Sequence, residues 1–339
     1  MVAVRFMRTE TTRSTVPLNA AVLASAILGV ALLSGCGPDA SGVSGSVDRS
    51  FTVDGPMRLE LSNGSGSSHV SVGPPGEVKI HAEFRVHAWP WDDPDRELKD
   101  LIANPPFSQE GHLIHIGAAG WERTEFSADY TVTVPPDTEM RGISGSGNLE
   151  VEGIAGPANF TVGSGNVRAA GIRNDVHAVV GSGNATFTDA QGRIDATAAS
   201  GEIVVRGAKG DVRARTGSGE INVDRPGANV EAEAASGNVQ VREATSDVRV
   251  HTSSGEISID GNPAPSSYWD IRATSGDVTL HVPASASFRF YAHTNSGDVR
   301  ASLPGMQESS DDRHHFEARL GDGRARVEIE TTSGEISLH

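Results

Sequence analysis

The sequence predicts an all-β protein: a parallel β-solenoid (β-helix-like) with two short strands in each coil of about 18 residues and a β-rich N-terminal cap. The first observation behind this prediction is a repeat of Ser-Gly followed by Asn, Asp or Glu. The first seven copies follow one another at a constant interval of 18 residues, and the later intervals are longer. The ten serines are Ser146, Ser164, Ser182, Ser200, Ser218, Ser236, Ser254, Ser275, Ser296 and Ser333.

The second observation is the alternation of apolar and polar residues on both sides of each Ser-Gly pair. Before Ser218, for example, Val212 and Ala214 are apolar, and after it Ile221 and Val223 are apolar, with polar residues between them. Such alternation predicts two half-buried strands per repeat. A βαβ unit needs about 30 residues, so each coil is expected to pair with the coils before and after it, about 4.8 Å apart.

The chain is predicted to begin with a lipoprotein signal peptide, residues 1–35. Basic residues precede an apolar run from Val16 to Leu33, which is the order of regions in a secretory signal. The run ends in Leu-Ser-Gly-Cys, which resembles the lipobox of bacterial lipoproteins, and the resemblance implies acylation of the Cys36 thiol. A retained transmembrane anchor is the alternative. Cys36 is the only cysteine, which excludes an intramolecular disulfide.

Residues 36–50 are predicted to form a flexible tether, because they are rich in Gly and Ser and lack hydrophobic periodicity. Aromatic residues, the third observation, mark the next segment: residues 51–140 hold eight of them, whereas only Phe160 and Phe187 occur between residues 141 and 262. Residues 51–140 are therefore predicted to be the cap that covers the first open edge of the solenoid. Its expected elements are strands at 57–61, 78–87, 113–116 and 128–134, a helix at 95–102 and an irregular coil at Ser65-Gly66.

Residues 141–339 are predicted to form the solenoid domain, with an excursion near 304–324 that accounts for the longest interval. The net charge of the whole chain is −16, and it falls to −18 when residues 1–35, with three Arg and one Glu, are removed. Nucleic acid is therefore not an expected partner, since phosphate binding needs a basic face. Such a surface should also avoid anionic lipid headgroups.

The residues after the corner glycines form a column of Asn, Asp and Glu. Calcium-loaded β-rolls supply several oxygens from successive turns, whereas each coil here supplies at most one acid, so we expect a solvated polar edge without a metal. The histidines, including the pair His314-His315, lack the spacing of metal ligands. The column is Asn148, Asn166, Asn184, Glu202, Glu220, Asn238, Glu256, Asp277, Asp298 and Glu335.

No catalytic, cofactor-binding or metal-ligating residue is predicted, and the chain is expected not to be an enzyme. The alternative is a polysaccharide-active enzyme of the cell envelope on a β-helix scaffold, which would need a unique carboxylate pair beside an aromatic groove. The unique cluster of aromatic and acidic residues spans residues 87–93, with Trp89 and Trp91, and is favoured as a capping loop. Trp121 is the third tryptophan of the cap. A partial threonine ladder shares the parity of the buried residues and is expected to face inward: Thr216, Thr252, Thr294 and Thr331.

The Ser-Gly-[Asn/Asp/Glu]-[Val/Ile] coils, together with Gly321-Asp322-Gly323 and the segment from Val327 to Ile336, resemble the bacterial DUF4097 family of adhesin-like proteins. The resemblance covers about residues 50–339 and implies a β-helical fold but no catalytic or binding residue. With the lipobox, it predicts a non-enzymatic, envelope-anchored lipoprotein that presents a solenoid surface to an unidentified protein or glycan. The lipid on Cys36 would hold it in a membrane. Gly37 in place of Asp favours the outer membrane of a bacterium with two membranes.

Overall fold

The computed structural model describes residues 42–87, 93–117 and 126–339 of the chain. Within these ranges the strands form two sheets, one of 14 and one of 15 strands, and there is one helix. The buried side chains of both sheets form one continuous apolar core. The predicted parallel solenoid with two strands per coil is confirmed.

The described part of the N-terminal cap contains seven strands and a helix. The predicted cap strands are all present, and three of them are longer than expected. In chain order the elements are β1 (Gly42–Thr52), β2 (Met57–Ser65), β3 (Ser68–Val72), β4 (Glu77–His87), α1 (Pro94–Ala103), β5 (Phe107–Glu110), β6 (Leu113–Ile116) and β7 (Phe126–Val134).

The predicted helix at 95–102 is present as α1, which is longer by one residue at each end. The Asp93 carboxylate caps it by accepting a hydrogen bond from the Arg96 backbone N–H, and Pro94 occupies the first turn, where no N–H partner is needed. Leu98 and Leu101 are buried against the cap.

Ten coils follow the cap in the described residues, each with one strand in the fifteen-stranded sheet and a shorter one in the fourteen-stranded sheet. The first seven pairs are β8 (Thr138–Ser146) with β9 (Leu149–Glu152), β10 (Ala158–Ser164) with β11 (Val167–Ala170), β12 (Val176–Ser182) with β13 (Ala185–Thr188), β14 (Ile194–Ser200) with β15 (Ile203–Arg206), β16 (Val212–Ser218) with β17 (Ile221–Asp224), β18 (Val230–Ser236) with β19 (Val239–Ala244) and β20 (Val248–Ser254) with β21 (Ile257–Gly261). The remaining elements are β22 (Tyr268–Ser275) with β23 (Val278–His281), β24 (Phe288–Ser296) with β25 (Val299–Ala301), the hairpin β26 (Gln307–Asp312) and β27 (His315–Leu320), and finally β28 (Ala325–Ser333) with β29 (Ile336–Leu338).

The register between coils follows the repeat residue by residue. Ser182 lies beside Ser164 on one side and Ser200 on the other, and Val176 lies beside Ile194 in the same way. The predicted inward residues are buried: Val212, Ala214 and Ile221, for example, are at most 1% exposed. Parallel strands with one buried face therefore explain the alternation in each repeat.

The predicted tether at residues 36–50 is wrong for its second half, because residues 42–50 belong to β1. All eleven residues of β1 pair with β4 in antiparallel register, from Gly42 beside His87 to Thr52 beside Glu77. Val47 is buried, and Gly45 provides the space that Leu98 and Ile102 of α1 occupy. Backbone pairing and this helix contact give order to a Gly- and Ser-rich segment that shows no apolar period.

The predicted boundary between residues 140 and 141 is also wrong, because it cuts strand β8. The first coil begins at Thr138, whose hydroxyl donates to the backbone oxygen of Pro135. The expected coil at Ser65-Gly66 is confirmed, since Ser65 of β2 lies beside Ser146 of β8 in parallel register. Cap and solenoid therefore share continuous sheets.

The last coil in the sequence is not the last coil in space. Strand β28 lies between β22 and β24, and β29 lies between β23 and β25. The coil of Ser333 thus separates the coils of Ser275 and Ser296, which follow each other in the chain. The excursion near 304–324 forms the hairpin β26–β27, and β27 covers the free edge of β24 in antiparallel register. The expectation that each coil pairs with its sequence neighbours is therefore wrong at this end.

Candidate interaction surfaces

The column of Asn, Asp and Glu after the corner glycines links successive coils. The Oδ1 atom of Asn148 accepts hydrogen bonds from the backbone N–H and the side-chain amide of Asn166. Asn166 accepts in the same way from the backbone N–H of Asn184, at 2.9 Å, and Asp277 accepts from that of Glu335. These oxygens hold one coil to the next, so this polar edge has a structural role.

A second ladder of the same kind runs along the opposite corner. Asp211 accepts from the backbone N–H of Asn229, Asn229 accepts from Asp247, and Asp247 accepts from Tyr268. Both corners thus use short polar side chains to satisfy backbone donors of the neighbouring coil.

The threonine ladder faces inward, as its parity predicts. Thr252 and Thr294 are fully buried, and their hydroxyls donate to the backbone oxygens of Gly237 and Gly334 at 3.3 and 3.1 Å. Each hydroxyl therefore satisfies a carbonyl of the adjacent coil, and the ladder does not form an outer face.

The outer face of the fifteen-stranded sheet carries alternating charges on neighbouring strands. Arg213 of β16 donates to Glu231 of β18 at 2.5 Å, and Arg215 reaches both Glu231 and Glu233, at 3.3 and 3.1 Å. The hydrogen bond from Arg213 holds the pKa of Glu231 below its ordinary value. This face is therefore a lattice of compensated charges.

Near its C-terminal end the same face carries a small aromatic and cationic cluster. The Arg326 guanidinium lies 5.8 Å from the ring centre of Tyr268 and 5.2 Å from that of Tyr291. The Tyr268 hydroxyl donates to Glu328, and this hydrogen bond raises the pKa of Tyr268 to about 12. The cluster joins β22, β28 and β24, so it ties the inserted coil to both of its neighbours.

The outer face of the fourteen-stranded sheet is different, because one column across seven strands is uncharged. We call this column the neutral stripe; it runs in register from β13 to β29 and, at about 4.8 Å per step, is roughly 29 Å long. On one side the neighbouring column alternates in sign, from Arg206 through Asp224 to Arg242. On the other side lies the column after the corner glycines, where Glu202 and Glu335 accept side-chain hydrogen bonds from Asn222 and Ser337 of the neutral stripe. The neutral stripe consists of Thr186, Val204, Asn222, Gln240, Ser258, Thr279 and Ser337.

Sequence reasoning missed the neutral stripe, although its members are readable four residues after each corner serine. The period of two predicts only that these residues face outward. The charge of each column distinguishes this column from the one two residues further along, which holds Arg206, Asp224 and Arg242.

A cleft of about 260 Å³ lies at the corner that precedes the longer strands. Acidic and basic residues of successive coils alternate along it, among them Asp211, Arg213, Asp247 and Arg249. Asp211 and Asp247 already accept backbone hydrogen bonds in the second ladder. The acids of the cleft thus repeat from coil to coil and support the fold.

The structure brings together two histidines that the sequence leaves far apart. His293 of β24 and His315 of β27 lie opposite each other, with ring centres 6.2 Å apart. Each also contacts its own strand, His293 at Asn295 and His315 at Glu317. His314 contacts the backbone oxygen of Gly297. Among the described residues no group of three His, Cys, Asp or Glu is arranged to hold a metal ion.

Several residues singled out by the sequence lie outside the described ranges. Cys36, the predicted lipidation site, is one of them, as are Trp89 and Trp91 of the predicted aromatic cluster, and Trp121. In the portions of the chain that are described, no helix has the length and apolarity to cross a membrane.

The model of one protein family, Toastrack DUF4097, matches the chain twice, over residues 137–247 and 229–339. The two matches together span the ten coils and the hairpin. A search of curated proteins gave no match.

Three solved structures resemble the chain. A proposed cell adhesion protein from Clostridium sporogenes is 11% identical, with 86% of this chain and 97% of that chain covered at a TM-score of 0.21. A proposed lipid binding protein from Parabacteroides distasonis is 14% identical, with 87% and 96% covered at a TM-score of 0.44. A proposed adhesin from Bacteroides fragilis is 11% identical, with 87% and 97% covered at a TM-score of 0.35.

Proposed function

The chain belongs to the Toastrack DUF4097 family, and from this premise we propose that it is a non-enzymatic, adhesin-like lipoprotein of the bacterial cell envelope. In this proposal the lipid on Cys36 holds the protein in a membrane, the outer one where there are two. The solenoid then presents a flat, repetitive surface to a protein or glycan partner.

The neutral stripe is the observation that carries the proposal. It runs through a chain of net charge −16 without a charged side chain at any of its seven positions. Uncharged amides and hydroxyls lose less hydration energy on burial than charged groups do, and they can hydrogen-bond to a partner. Six of the seven members carry an amide or a hydroxyl, and the seventh, Val204, is a buried apolar residue. A row of such groups with constant spacing suits an extended partner better than a small molecule, for which concave pockets are typical.

The roles of the acidic side chains also favour a non-enzymatic protein. A glycan-cleaving enzyme needs two carboxyl groups placed for acid and base or nucleophile chemistry. In the cleft of the described structure, Asp211 and Asp247 accept backbone hydrogen bonds, and Glu231 is held by Arg213. These acids are engaged in the fold or in ion pairs.

The experiment changes the neutral stripe and, as a control, the opposite face. Ser258→Glu with Thr279→Glu puts two charges into the neutral stripe, whereas Thr161→Glu with Thr197→Glu puts two charges on the outer face of the fifteen-stranded sheet. We expect cross-linking of the full-length protein to its envelope partners in living cells to fall about tenfold or more for the stripe variant alone.

Both double variants should fold, because all four positions face outward; circular dichroism and thermal unfolding check this. Cross-linking that is equally strong in the stripe variant and in the control variant would contradict binding through the neutral stripe.

A further inference from the structure

Strand β1 starts very close to the predicted lipid anchor. It begins at Gly42, so only the five residues 37–41 separate it from Cys36. A chain spans at most about 3.6 Å per residue, so the six steps from Cys36 to Gly42 reach about 22 Å at most. We propose that the cap end of the solenoid lies against the lipid surface and that the solenoid projects away from it, an inference that rests on the proposed lipid anchor at Cys36.

The corner of the cap that lies nearest to Cys36 along the chain can be located from the strand pairing. Gly42 at the start of β1 pairs with His87 at the end of β4, and Val86 beside it pairs with Phe126 at the start of β7. We call this edge, formed by Gly42, His87 and Phe126, the anchor edge. The backbone oxygen of Ala128, two residues into β7, accepts a hydrogen bond from the side-chain amide of Asn63, so the anchor edge lies on the Ser-Gly side of the coil at Ser65-Gly66.

The opposite end of the solenoid is far beyond the reach of the five-residue linker. The order of the fourteen-stranded sheet places thirteen strand-to-strand steps between β1 and β25. At about 4.8 Å per step, this is roughly 60 Å. The hairpin β26–β27 covers β24 at this far end, so a projecting solenoid would hold it well away from the headgroups.

The side faces of the solenoid favour a projecting orientation over a flat one. In the described residues, Ile143 and Val179 are the large apolar side chains that are well exposed. The net charge of −18 that remains without residues 1–35 favours repulsion between the protein and anionic headgroups. Burial of the lattice around Arg213 and Glu231 against lipid would also remove water from paired charges at a cost.

The proposal is tested by energy transfer to the membrane from each end of the protein. In the acylated protein the Cys36 thiol is blocked, so an introduced cysteine is the single free thiol. Ser44→Cys on β1 and Ser302→Cys just after β25 are matched exposed serines at the two ends. Each full-length variant is labelled with a donor dye and reconstituted in vesicles of phosphatidylcholine and anionic phosphatidylglycerol that contain a trace of lipid with an acceptor dye on its headgroup.

We expect at least fivefold more efficient transfer from the label at Ser44→Cys than from the label at Ser302→Cys, because transfer falls steeply with distance. Equal transfer from both positions would overturn the projecting orientation while leaving the anchor in place. Insertion of a long Gly/Ser segment between Ser41 and Gly42 should lower the transfer from Ser44→Cys. Unchanged transfer after this insertion would mean that the short linker is not what keeps the cap end close to the membrane.

The anchor itself is measured separately in the same preparation. Wild-type protein should incorporate a labelled fatty acid and float with the vesicles, whereas Cys36→Ala should do neither. If the wild-type protein incorporates no fatty acid, the lipoprotein assignment fails, and the orientation fails with it. If the wild-type protein floats but shows equal transfer from both ends, only the orientation fails.

Discussion

The glycine after each corner serine is the residue of the repeat that tolerates substitution least. Gly219 has a φ of +148°, a conformation that side chains rarely adopt, and a Cβ placed there would lie 2.0 Å from the backbone oxygen of Gly201 in the neighbouring coil. Both the dihedral angle and the close approach require glycine at this position. Coil after coil, the glycines form a ladder that brings the backbones of the corners together.

We expect Gly219→Ala to lower the free energy of unfolding by about 3 kcal/mol or more, because backbone strain of about 1–3 kcal/mol adds to the clash with Gly201. Gly217→Ala is the matched control. A Cβ at residue 217 would lie 2.7 Å from the backbone oxygen of Ala199, but the same column already holds Ala199 and Ala235. Chemical denaturation of the two variants measures the difference, and equal losses of stability would contradict the special role of the corner glycine.

At the residue scale the sequence predicts which side chains are buried, because the period of two fixes the face of every residue in a strand. It could not predict the partners of the polar side chains. Asn166 and Asn184 were expected only at a solvated edge, yet the oxygen of Asn166 accepts the backbone N–H of Asn184. The direction of such a bond depends on the side-chain rotamer and on the corner geometry, and neither is encoded in residue spacing.

The coil is the element that repeats, and the register shows that coils are interchangeable in the regular part of the array. Val176 lies beside Ile194, and Ile194 lies beside Val212, with the same offset along the chain at each step. Gly210 also stands directly over Gly192 at the corner. The structure therefore allows one coil to be removed without a change of parity at the junction.

We expect deletion of residues 192–209, which is the length of one whole coil, to give a folded protein, because Gln191 is then followed by Gly210 in the place of Gly192. In the shortened chain β16 pairs with β12, so that Val212 lies beside Val176 and the apolar column stays continuous. Deletion of residues 193–209 is shorter by one and leaves an extra residue in the coil, so every later inward side chain would turn outward unless the corner absorbs it.

Soluble yield, circular dichroism and thermal unfolding of the two deletion variants check this expectation. The whole-coil deletion should retain cooperative unfolding, and the shorter deletion should be mostly insoluble. Similar behaviour of both variants would mean that the coil is not the structural unit.

Strand β1 is an element that the pattern of apolar residues does not predict. Its sequence has one buried apolar residue, Val47, and is otherwise rich in Ser and Gly. The strand forms because β4 offers a free edge along its whole length and because α1 packs over Gly45. An edge strand of this kind is specified by its partner, and its own composition is that of a linker.

On the scale of the whole molecule, the order of the coils at the C-terminal end is the least predictable feature. The repeat at Ser333 has the same sequence pattern as the others, and the long interval between Ser296 and Ser333 indicates only an excursion. Which edge the last coil joins depends on the hairpin β26–β27, which occupies the outer edge of β24 and leaves the inner edge for β28. The spacing of the repeats along the chain does not show which edge of β24 the hairpin takes and which edge the last coil takes.

The inserted coil makes the C-terminal segment the link between the regular array and the far end. In the described structure β24 pairs with β27 and β28, and β25 pairs with β29, so residues 288–320 reach the rest of the array through β28 and β29. The inserted strands also bury Val327, Ile329 and Ile336 between the sheets. Their removal would leave β22 and β24 about 10 Å apart, which is twice the spacing of paired strands.

We therefore expect a protein that ends at Arg324 to keep the coils up to Ser275 and to lose order in residues 288–320. Hydrogen exchange followed by mass spectrometry should show the backbone amides of this region exchanging at least a hundredfold faster than in the full chain, because two rows of hydrogen bonds are lost.

A synthetic peptide of residues 325–339 should restore the protection by pairing between β22 and β24, since backbone pairing on both sides gives a strand its affinity. The same peptide with Val327→Asp and Ile329→Asp should not restore it, because both side chains would have to be buried as charges. Protection of residues 288–320 in the shortened protein without any peptide would mean that β24 closes directly onto β22, and the inserted coil would then not be the link between the array and its far end.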